Sequence, residues 1–320
     1  MTEKPLIVYP DADGDEEVLY KEQFARLRAV ANLKVYTGRP GSNEEYLERI
    51  ADAQGLLLGW DLPTEVMQHA KKLEVISFTG VGADKFIDIN QAASQNIVVC
   101  NCPGYSDITV AEHTMALLLS VCRHIPKYDH EMRNGSWQPD KPAIELHGKC
   151  IGLVGFGGIG RQFSQLCKAF GMRVLVWTRS MNPELEKQYG VELCALETIY
   201  QHCDVISLHL ASNVQTAGLI DQTAFNAMGS GTILINTARA ELVNENALIQ
   251  ALQTGKLGAA ALDVFHDEPL PSEHPLTEMK NVVLTPHIGY NTPEAVSRLF
   301  EIATDNLISY FQGEVQNQIG

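Results

Sequence analysis

Short apolar runs alternate with amphipathic segments over the first hundred residues of the chain. The apolar runs predict strands at residues 6–9, 33–36, 55–58, 73–78 and 97–100. Helical spacing of apolar positions predicts helices between them, at residues 16–30, 43–53, 64–69 and 84–95. Because strands that alternate with helices form a parallel sheet with helices on both faces, this part predicts a doubly wound α/β domain.

A second alternation begins near residue 150. It predicts strands at residues 150–155, 173–178, 205–209, 232–236, 259–264 and 282–284. The predicted helices are 160–170, 196–202, 222–227 and 245–254, with a mostly apolar helix at 109–125 before them and an amphipathic one at 293–310 after them. We therefore expect two doubly wound parallel-sheet domains, one formed by residues 1–101 with 289–320 and the other by residues 102–288.

Composition and charge narrow the class of protein. A chain of 320 residues is long for a single core, and 24 basic against 39 acidic residues give a net charge of -15. Such a surface repels nucleic acid and anionic membranes, so neither is an expected partner. The longest apolar stretch, 110–125, is interrupted by charged residues and is too short to span a bilayer. We expect a soluble cytoplasmic protein that binds a small molecule.

The seven cysteines lie far apart and include no CxxC pair. This spacing predicts reduced, mostly buried thiols and no metal site. Cys100 and Cys102 are expected to pack near the domain junction, and His113, beside Glu112 on the apolar helix, is expected to be structural.

A glycine-rich segment joins the first strand of the second domain to its first helix. Gly155, Gly157 and Gly160 form a G-x-G-x-x-G pattern. In that context the first glycine permits a tight turn, the second lets a pyrophosphate approach the backbone, and the third lets helix and strand pack closely. The free N–H groups of the helix N-terminus would bind the phosphates. We expect a dinucleotide site.

The end of the next strand carries no acid. An NAD-selective site usually places Asp or Glu there to bind the adenosine ribose hydroxyls, but this chain has Thr178, Arg179 and Ser180. Guanidinium and hydroxyl groups can bind a 2′-phosphate that a carboxylate would repel. We expect NADP(H) to be favoured and NAD(H) to be possible.

An arginine, a carboxylate and an imidazole follow three later predicted strands, at the end where ligands of open α/β sheets bind. Reduction of a 2-oxo acid requires an anchor for the carboxylate, a proton for the carbonyl oxygen, and a partner for the proton donor. Arg239 can form a bidentate contact, His287 can supply the proton, and Glu268 can hold the imidazolium.

Together these segments resemble the D-isomer-specific 2-hydroxyacid dehydrogenase family over essentially the whole chain. The resemblance rests on the glycine loop, Asn236-Thr-Ala-Arg239, Ala261-Leu-Asp-Val-Phe-x-x-Glu-Pro269 and Thr285-Pro-His287, in that order. It implies a Rossmann dinucleotide-binding domain, a flavodoxin-like substrate domain, and a homodimer. The Thr178-Arg179 departure is similar to the family's NADP-using glyoxylate and hydroxypyruvate reductases.

The resemblance also implies a role for each matching residue. Arg239 would bind and polarise the substrate, His287 would act as acid and base, and Glu268 would support His287. The backbone N–H groups of Val81 and Gly82 would bind the substrate carboxylate. The implied cofactor contacts are Gly158 and Ile159 at the pyrophosphate, Asp263 at the nicotinamide carboxamide, and His209, Ala211, Thr216, Thr237, Ala238 and Gly289 along the cleft.

Two questions stay open at this level. The third strand ends Leu58-Gly-Trp-Asp-Leu62, with an acid and no arginine, which favours a short, unphosphorylated 2-oxo acid with Trp60 and Tyr290 as candidate pocket walls. The class of protein has two rivals: a non-catalytic, NAD(P)-sensing corepressor-like protein that keeps the same motifs, and a formate- or phosphite-type dehydrogenase that reduces NAD.

Overall fold

Two separate parallel sheets organise the chain. The computed structural model describes residues 4–320. One unit consists of the chain up to Ser106 together with Thr292–Gly320, and the other is Asp107–Asn291. The prediction of an α/β protein with two doubly wound parallel sheets is confirmed.

The sheet of the first unit has the strand order β13-β5-β4-β3-β1-β2, in which the five N-terminal strands are parallel and β13 is antiparallel to β5. Without β13 this is the flavodoxin-like order. The strands are β1 (Leu6–Ala12), β2 (Asn32–Thr37), β3 (Gly55–Leu58), β4 (Val75–Phe78), β5 (Val98–Cys100) and β13 (Gln318–Ile319).

Two predicted helices of the first unit are interrupted in the structure. The predicted helix 16–30 is two helices that meet at Tyr20, and 84–95 is a 3-10 turn, Ala83–Lys85, followed by a shorter helix. The Asp88 carboxylate accepts a hydrogen bond from Gln91 N at 3.0 Å, so a new helix begins there. The helices are α1 (Glu16–Leu19), α2 (Lys21–Val30), α3 (Asn43–Ile50), α4 (Thr64–His69), α5 (Ile89–Ser94) and α14 (Pro293–Phe311).

The sheet of the second unit is parallel throughout, with the order β12-β11-β10-β9-β6-β7-β8. If β6 is numbered 1 and the sheet is read from its β8 edge, the first six strands have the order 3-2-1-4-5-6 of dinucleotide-binding sheets. The strands are β6 (Cys150–Val154), β7 (Arg173–Trp177), β8 (Glu192–Leu193), β9 (Val205–Leu208), β10 (Thr232–Asn236), β11 (Leu257–Leu262) and β12 (Val282–Leu284).

Helices cover this second sheet, and several were not predicted. The apolar helix spans Asp107–Arg123 and ends where His124 adopts a φ of 54°, after which a separate polar helix begins. The sequence missed that helix, α9, α13 and the short strands β8 and β13. The helices are α6 (Asp107–Arg123), α7 (Ile125–Arg133), α8 (Gly158–Ala169), α9 (Glu184–Tyr189), α10 (Leu196–His202), α11 (Gln222–Ala227), α12 (Glu245–Gln253) and α13 (Pro275–Glu278).

Apolar cores fill both faces of each sheet. In the second unit, Phe163 of α8 and Phe225 of α11 are fully buried in different clusters, which fixes β6 between helices. Burying such a side chain contributes about 1.5–3 kcal/mol. Among the described residues, no helix is both long and apolar enough to cross a membrane.

Candidate active site

Three chemically active side chains follow three neighbouring strands of the second unit. Arg239 comes after β10, Glu268 after β11 and His287 after β12, and these strands are adjacent in the sheet. Since parallel strands end at the same edge, the loops that carry these residues emerge together.

His287 and Glu268 form a direct pair. The Nδ1 atom of His287 lies 2.8 Å from Oε2 of Glu268, and both side chains are about two-fifths exposed, at 41% and 38%. The other carboxylate oxygen, Oε1, accepts a hydrogen bond from Phe265 N at 2.9 Å. An ionised carboxylate can only accept, so Nδ1 carries the proton and Nε2 of His287 is directed away from Glu268 as the atom that can exchange a proton with a ligand.

A buried carboxylate holds the loop of His287. Asp263, at the end of β11, is 2% exposed and accepts hydrogen bonds from Thr285 Oγ1 at 2.6 Å, Ile288 N at 3.0 Å and Gly289 N at 2.9 Å. Burial alone would raise the pKa of Asp263, but these bonds and the nearby His113 hold it below its ordinary value. The sequence assigned Asp263 to the cofactor and did not indicate this structural role.

His113 and Gly289 belong to the same network. Nε2 of His113 lies 3.1 Å from Thr285 Oγ1 and 3.4 Å from Asp263 Oδ1. A Cβ atom at Gly289 would lie 2.9 Å from Asp263 Oδ2, so a side chain there would disturb the carboxylate. His113 therefore helps to fix the site from α6.

The loop of Arg239 is braced by one amide side chain. Oδ1 of Asn236 accepts from Ala238 N at 3.0 Å, and its Nδ2 donates to Arg239 O at 2.9 Å. The guanidinium of Arg239 donates to Ala238 O at 2.7 Å, which uses one of its five N–H groups. Thr237 is buried and its hydroxyl lies 2.9 Å from that of Thr114. The turn that carries Arg239 is therefore held by hydrogen bonds, and the other guanidinium N–H groups can donate to a ligand.

The glycine loop has the geometry that a pyrophosphate needs. Gly155 has a φ of +102°, and a Cβ atom there would lie 2.4 Å from His209 O. A Cβ at Gly160 would lie 2.8 Å from Gly155 O, whereas one at Gly157 would meet no atom within 4 Å. The first and third glycines permit close packing, and the second leaves open space beside the backbone. The loop thus fits a dinucleotide phosphate group.

Helix α8 begins at Gly158, two residues before the predicted start. The N–H groups of Gly158, Ile159 and Gly160 are therefore in its first turn, where no carbonyl of the same helix can accept them. The sequence did not indicate that Asp107 packs here: a Cβ at Gly158 would lie 1.7 Å from Asp107 Oδ2. Burial raises the pKa of Asp107, and Arg161 opposes that change.

The other predicted cofactor residues surround this loop. Gly155 N bonds to Trp177 O at 2.8 Å, which brings the end of β7 to the glycine loop. Arg179 and Ser180 are exposed there. Directly after β9, which lies on the other side of β6, the His209 imidazole packs on Phe163 and lies 3.0 Å from Ser207 Oγ, and burial lowers its pKa to about 3.

The His209 ring is thus a neutral packing group, and its backbone and Cβ atom border the glycine loop. The hydroxyl of Thr216 donates to Ala211 O at 2.8 Å, so these two predicted residues shape one turn.

In the first unit, the loop after β4 presents consecutive free N–H groups. Val81 is 46% exposed, and its carbonyl accepts from Asn101 Nδ2 at 2.8 Å. Within residues 4–320, the N–H groups of Val81 and Gly82 make no hydrogen bond. Successive backbone donors of this kind form an anion-binding concavity.

The loop after β2 brings a cation, Arg39, to the end of β3, which the sequence did not predict. The end of β3 was expected to hold an acid and no cation, but the Arg39 guanidinium, from the loop after β2, lies 3.7 Å from the Trp60 ring centroid. Beneath it, buried Asp11 accepts from Gly59 N at 3.0 Å and Trp60 N at 2.7 Å. A cation therefore does lie at this edge, so the local sequence does not exclude a substrate with a second anionic group.

Within residues 4–320, no three His, Cys, Asp or Glu side chains are grouped so that they could hold a metal ion. A glycine loop at the first strand of a dinucleotide-type sheet, and an acid-base pair at the same edge, together define a nicotinamide-dependent oxidoreductase.

Comparison with known proteins gives the family. Residues 115–289 match the family model described as "D-isomer specific 2-hydroxyacid dehydrogenase, NAD binding domain". A glyoxylate reductase of Aeropyrum pernix is 38% identical over 83% of this chain and 82% of its own length. A D-3-phosphoglycerate dehydrogenase of Archaeoglobus fulgidus is 38% identical over 88% of this chain, which spans 53% of that relative's length.

A solved structure agrees with these matches. The NADPH-dependent glyoxylate/hydroxypyruvate reductase of Sinorhizobium meliloti has a TM-score of 0.88 and is 27% identical, covering 99% of this chain and 98% of its own. The chain belongs to the D-isomer specific 2-hydroxyacid dehydrogenase family. The matches support an oxidoreductase that uses a nicotinamide dinucleotide and acts on 2-hydroxy acids.

Proposed function

We propose that this chain is a reductase of small 2-oxo acids, such as glyoxylate or hydroxypyruvate, that prefers NADP(H). The observation that carries the proposal is the 2.8 Å contact between His287 and Glu268, placed one strand away from the Arg239 loop. This arrangement supplies an oriented proton donor and a cation for a substrate carboxylate.

The proposed roles follow from what each group can do. Arg239 binds the substrate carboxylate and polarises the carbonyl, and Nε2 of His287 donates the proton to the carbonyl oxygen. Glu268 fixes the ring and stabilises the imidazolium before that transfer. When bound, the reduced nicotinamide supplies the hydride. The N–H groups of Val81 and Gly82 are proposed as further donors to a substrate carboxylate.

The cofactor would be held by residues that the glycine loop brings together. Gly158, Ile159 and Gly160 would donate to the pyrophosphate, and Asp263 keeps unused acceptor capacity for a carboxamide. The preference for NADP(H) is supported by Thr178, Arg179 and Ser180, with no carboxylate at the end of β7.

A panel of 2-oxo acids assayed with NADPH and NADH tests the activity, and the reverse reaction is run with 2-hydroxy acids, formate and phosphite. We expect glyoxylate or hydroxypyruvate to be reduced, and His287→Ala to lower kcat by about 10²–10⁴ while it still binds cofactor. Cofactor binding without turnover of any acid would favour the corepressor-like rival. Reduction of NAD by formate or phosphite alone would favour the second rival.

We also propose a cytoplasmic homodimer. All seven cysteines are free thiols, as expected in a reducing compartment. Ile125, Met132, Trp137 and Ile144 are exposed on and after α7, and Trp137 is 80% exposed. Exposed apolar groups of this kind favour a protein interface. Trp137→Glu should shift the mass in light scattering to that of a monomer, while the control Phe170→Glu should not.

A further inference from the structure

Two thiols of the second unit are held in contact by the sheet. Cys150 is the first residue of β6, and Cys203 follows α10 just before β9. Their sulfur atoms are 3.4 Å apart. Asp204 N donates to Cys150 O at 2.9 Å, and Cys150 N donates to Asp204 Oδ2 at 2.9 Å. The backbone therefore fixes both cysteines beside each other.

The two thiols differ in exposure and in the direction of their pKa shifts. A hydrogen bond from Cys203, together with the Arg173 cation, lowers the pKa of Cys150 in spite of partial burial and of the nearby Asp204 and Glu192 carboxylates. The same bond and burial raise the pKa of Cys203. Cys150 is partly exposed and Cys203 is buried. Since the thiolate is the nucleophile, Cys150 is the attacking group and Cys203 is placed to resolve it.

The other thiols lack these features. Burial raises the pKa of Cys100 and Cys122 to about 11, and that of Cys102 and Cys167 to about 12. Burial also raises the pKa of Cys194, the third thiol near the pair. An oxidant in solution should therefore select Cys150.

We propose that Cys150 and Cys203 form a peroxide-sensitive dithiol that closes to an intramolecular disulfide. The Cys150 thiolate attacks one peroxide oxygen, the O–O bond breaks, and protonation of the leaving hydroxide gives water and a sulfenic acid. The Cys203 sulfur then attacks the Cys150 sulfur, the S–O bond breaks, and a second water leaves. Two thiols are oxidised to a disulfide, and one hydrogen peroxide is reduced to two waters.

The motion needed is small and has a structural consequence. The sulfur atoms must approach from 3.4 Å to about 2.05 Å, the length of a disulfide bond. Gly152, two residues along β6, leaves room at this point: a Cβ there would lie 3.0 Å from Cys203 Sγ and 2.3 Å from Ile199 Cγ2. The bond would tie α10 to the strand that leads into the glycine loop.

The test is mass spectrometry of the full chain, and it does not depend on the proposed catalytic activity. Reduced protein is treated with hydrogen peroxide, alkylated, digested and mapped without reduction. We expect a linked Cys150–Cys203 peptide pair that has lost two hydrogen atoms and disappears with dithiothreitol. Cys150 should lose its free thiol at least about tenfold faster than Cys100 or Cys122.

Three variants complete the design. Cys203→Ser should stop at a Cys150 sulfenic acid that dimedone traps, Cys150→Ser should leave Cys203 as a thiol, and the control Cys194→Ser should still form the disulfide. Circular dichroism checks that each variant folds. Linkage of Cys150 to Cys194, linkage only between chains, or a Cys150 that oxidises no faster than the buried thiols would overturn the proposal. If Cys203→Ser does not fold, the linked wild-type peptide and the relative rates of thiol loss decide the outcome.

Discussion

The Glu268 carboxylate uses both oxygens as acceptors, and this makes glutamine a worse replacement than alanine. Oε1 accepts from Phe265 N at 2.9 Å and Oε2 accepts from His287 Nδ1 at 2.8 Å. Glutamine has one carbonyl oxygen and one NH₂ group. Because the backbone N–H of Phe265 is always a donor, the glutamine oxygen should turn to it and the NH₂ group should face Nδ1.

That orientation forces the wrong tautomer on the histidine. Nδ1 must then accept, so the proton of neutral His287 moves to Nε2. A neutral ring with Nε2–H can neither take a proton from a hydroxy acid nor give one without forming an imidazolate. We expect Glu268→Gln to lower kcat by about 10²–10⁴, the full size of an acid-base contribution.

Alanine removes the partner without dictating the tautomer. The lost charge-assisted hydrogen bond is worth about 1.5–3 kcal/mol when shielded, but side-chain exposures of 41% and 38% reduce it towards about 1 kcal/mol. By the relation of about 1.4 kcal/mol to a factor of ten, Glu268→Ala should lose about five- to tenfold. The glutamine variant should therefore be at least about tenfold slower than the alanine variant.

The assay is steady-state kcat and kcat/KM in both directions, with cofactor affinity from nucleotide fluorescence as a check that the site is intact. Asp267→Asn is the matched control, since it changes an exposed acid to an amide in the same loop. If Glu268→Gln is as active as Glu268→Ala or more so, the tautomer argument is refuted, whatever the absolute rates.

Three other changes test separate parts of the structure. Arg179→Ala should weaken NADPH binding about ten- to a hundredfold and leave NADH binding nearly unchanged; equal effects on both in titrations would make Arg179 an ordinary surface residue. Burial raises the pKa of Asp11 from 3.8 to about 6, so its ionisation lowers folded-state stability by about 3 kcal/mol as pH rises from about 4 to 6. In urea unfolding experiments, the free energy of unfolding of Asp11→Asn should not show this decrease between about pH 4 and 6. In an assay that detects turnover of 3-phosphoglycerate, Arg39→Ala should lower kcat/KM about tenfold for that acid and little for glyoxylate; an equal loss for both would mean that Arg39 only covers Trp60.

The central strands were predictable because they are buried on both faces. Their sequences are continuous apolar runs, and β3 and β10 match the predicted ranges at both ends. The two strands that were missed carry no such signal: β8 and β13 have two residues each. The edge strand β12 is only partly buried, but its three apolar residues match the predicted range. Strand length therefore sets the limit of what the pattern could show.

The helix ends were predicted incorrectly for a different reason. The pattern of apolar positions continues across residues 16–30, but the helix breaks at Tyr20, where the backbone leaves the helical region with a φ of -114° and a ψ of 41°. At residues 84–95 the Asp88 side chain accepts from Gln91 N and starts a new, shorter helix. Side-chain to backbone bonds such as that of Asp88 compete with a continuous helix, and a hydrophobic pattern records neither feature.

Contacts that come from distant parts of the chain explain what the site prediction missed. The order of Arg239, Glu268 and His287 after successive strands could be inferred, because parallel strands end at one edge. Arg39 and Trp60 are 21 positions apart and meet only because β2 and β3 both neighbour β1. No local motif could predict that a cation stacks on that ring.

The position of His287 depends most on such a distant contact. Its φ of +54° lies in the left-handed region, which costs on the order of 1–3 kcal/mol for a residue with a side chain. The two residues that follow it donate to Asp263 from Ile288 N and Gly289 N, and hydrogen bonds to a charged group contribute about 1.5–3 kcal/mol each. The buried carboxylate therefore offsets the strain and holds the imidazole towards Glu268. A residue that the sequence assigned only to the cofactor thus also keeps the proposed proton donor in place.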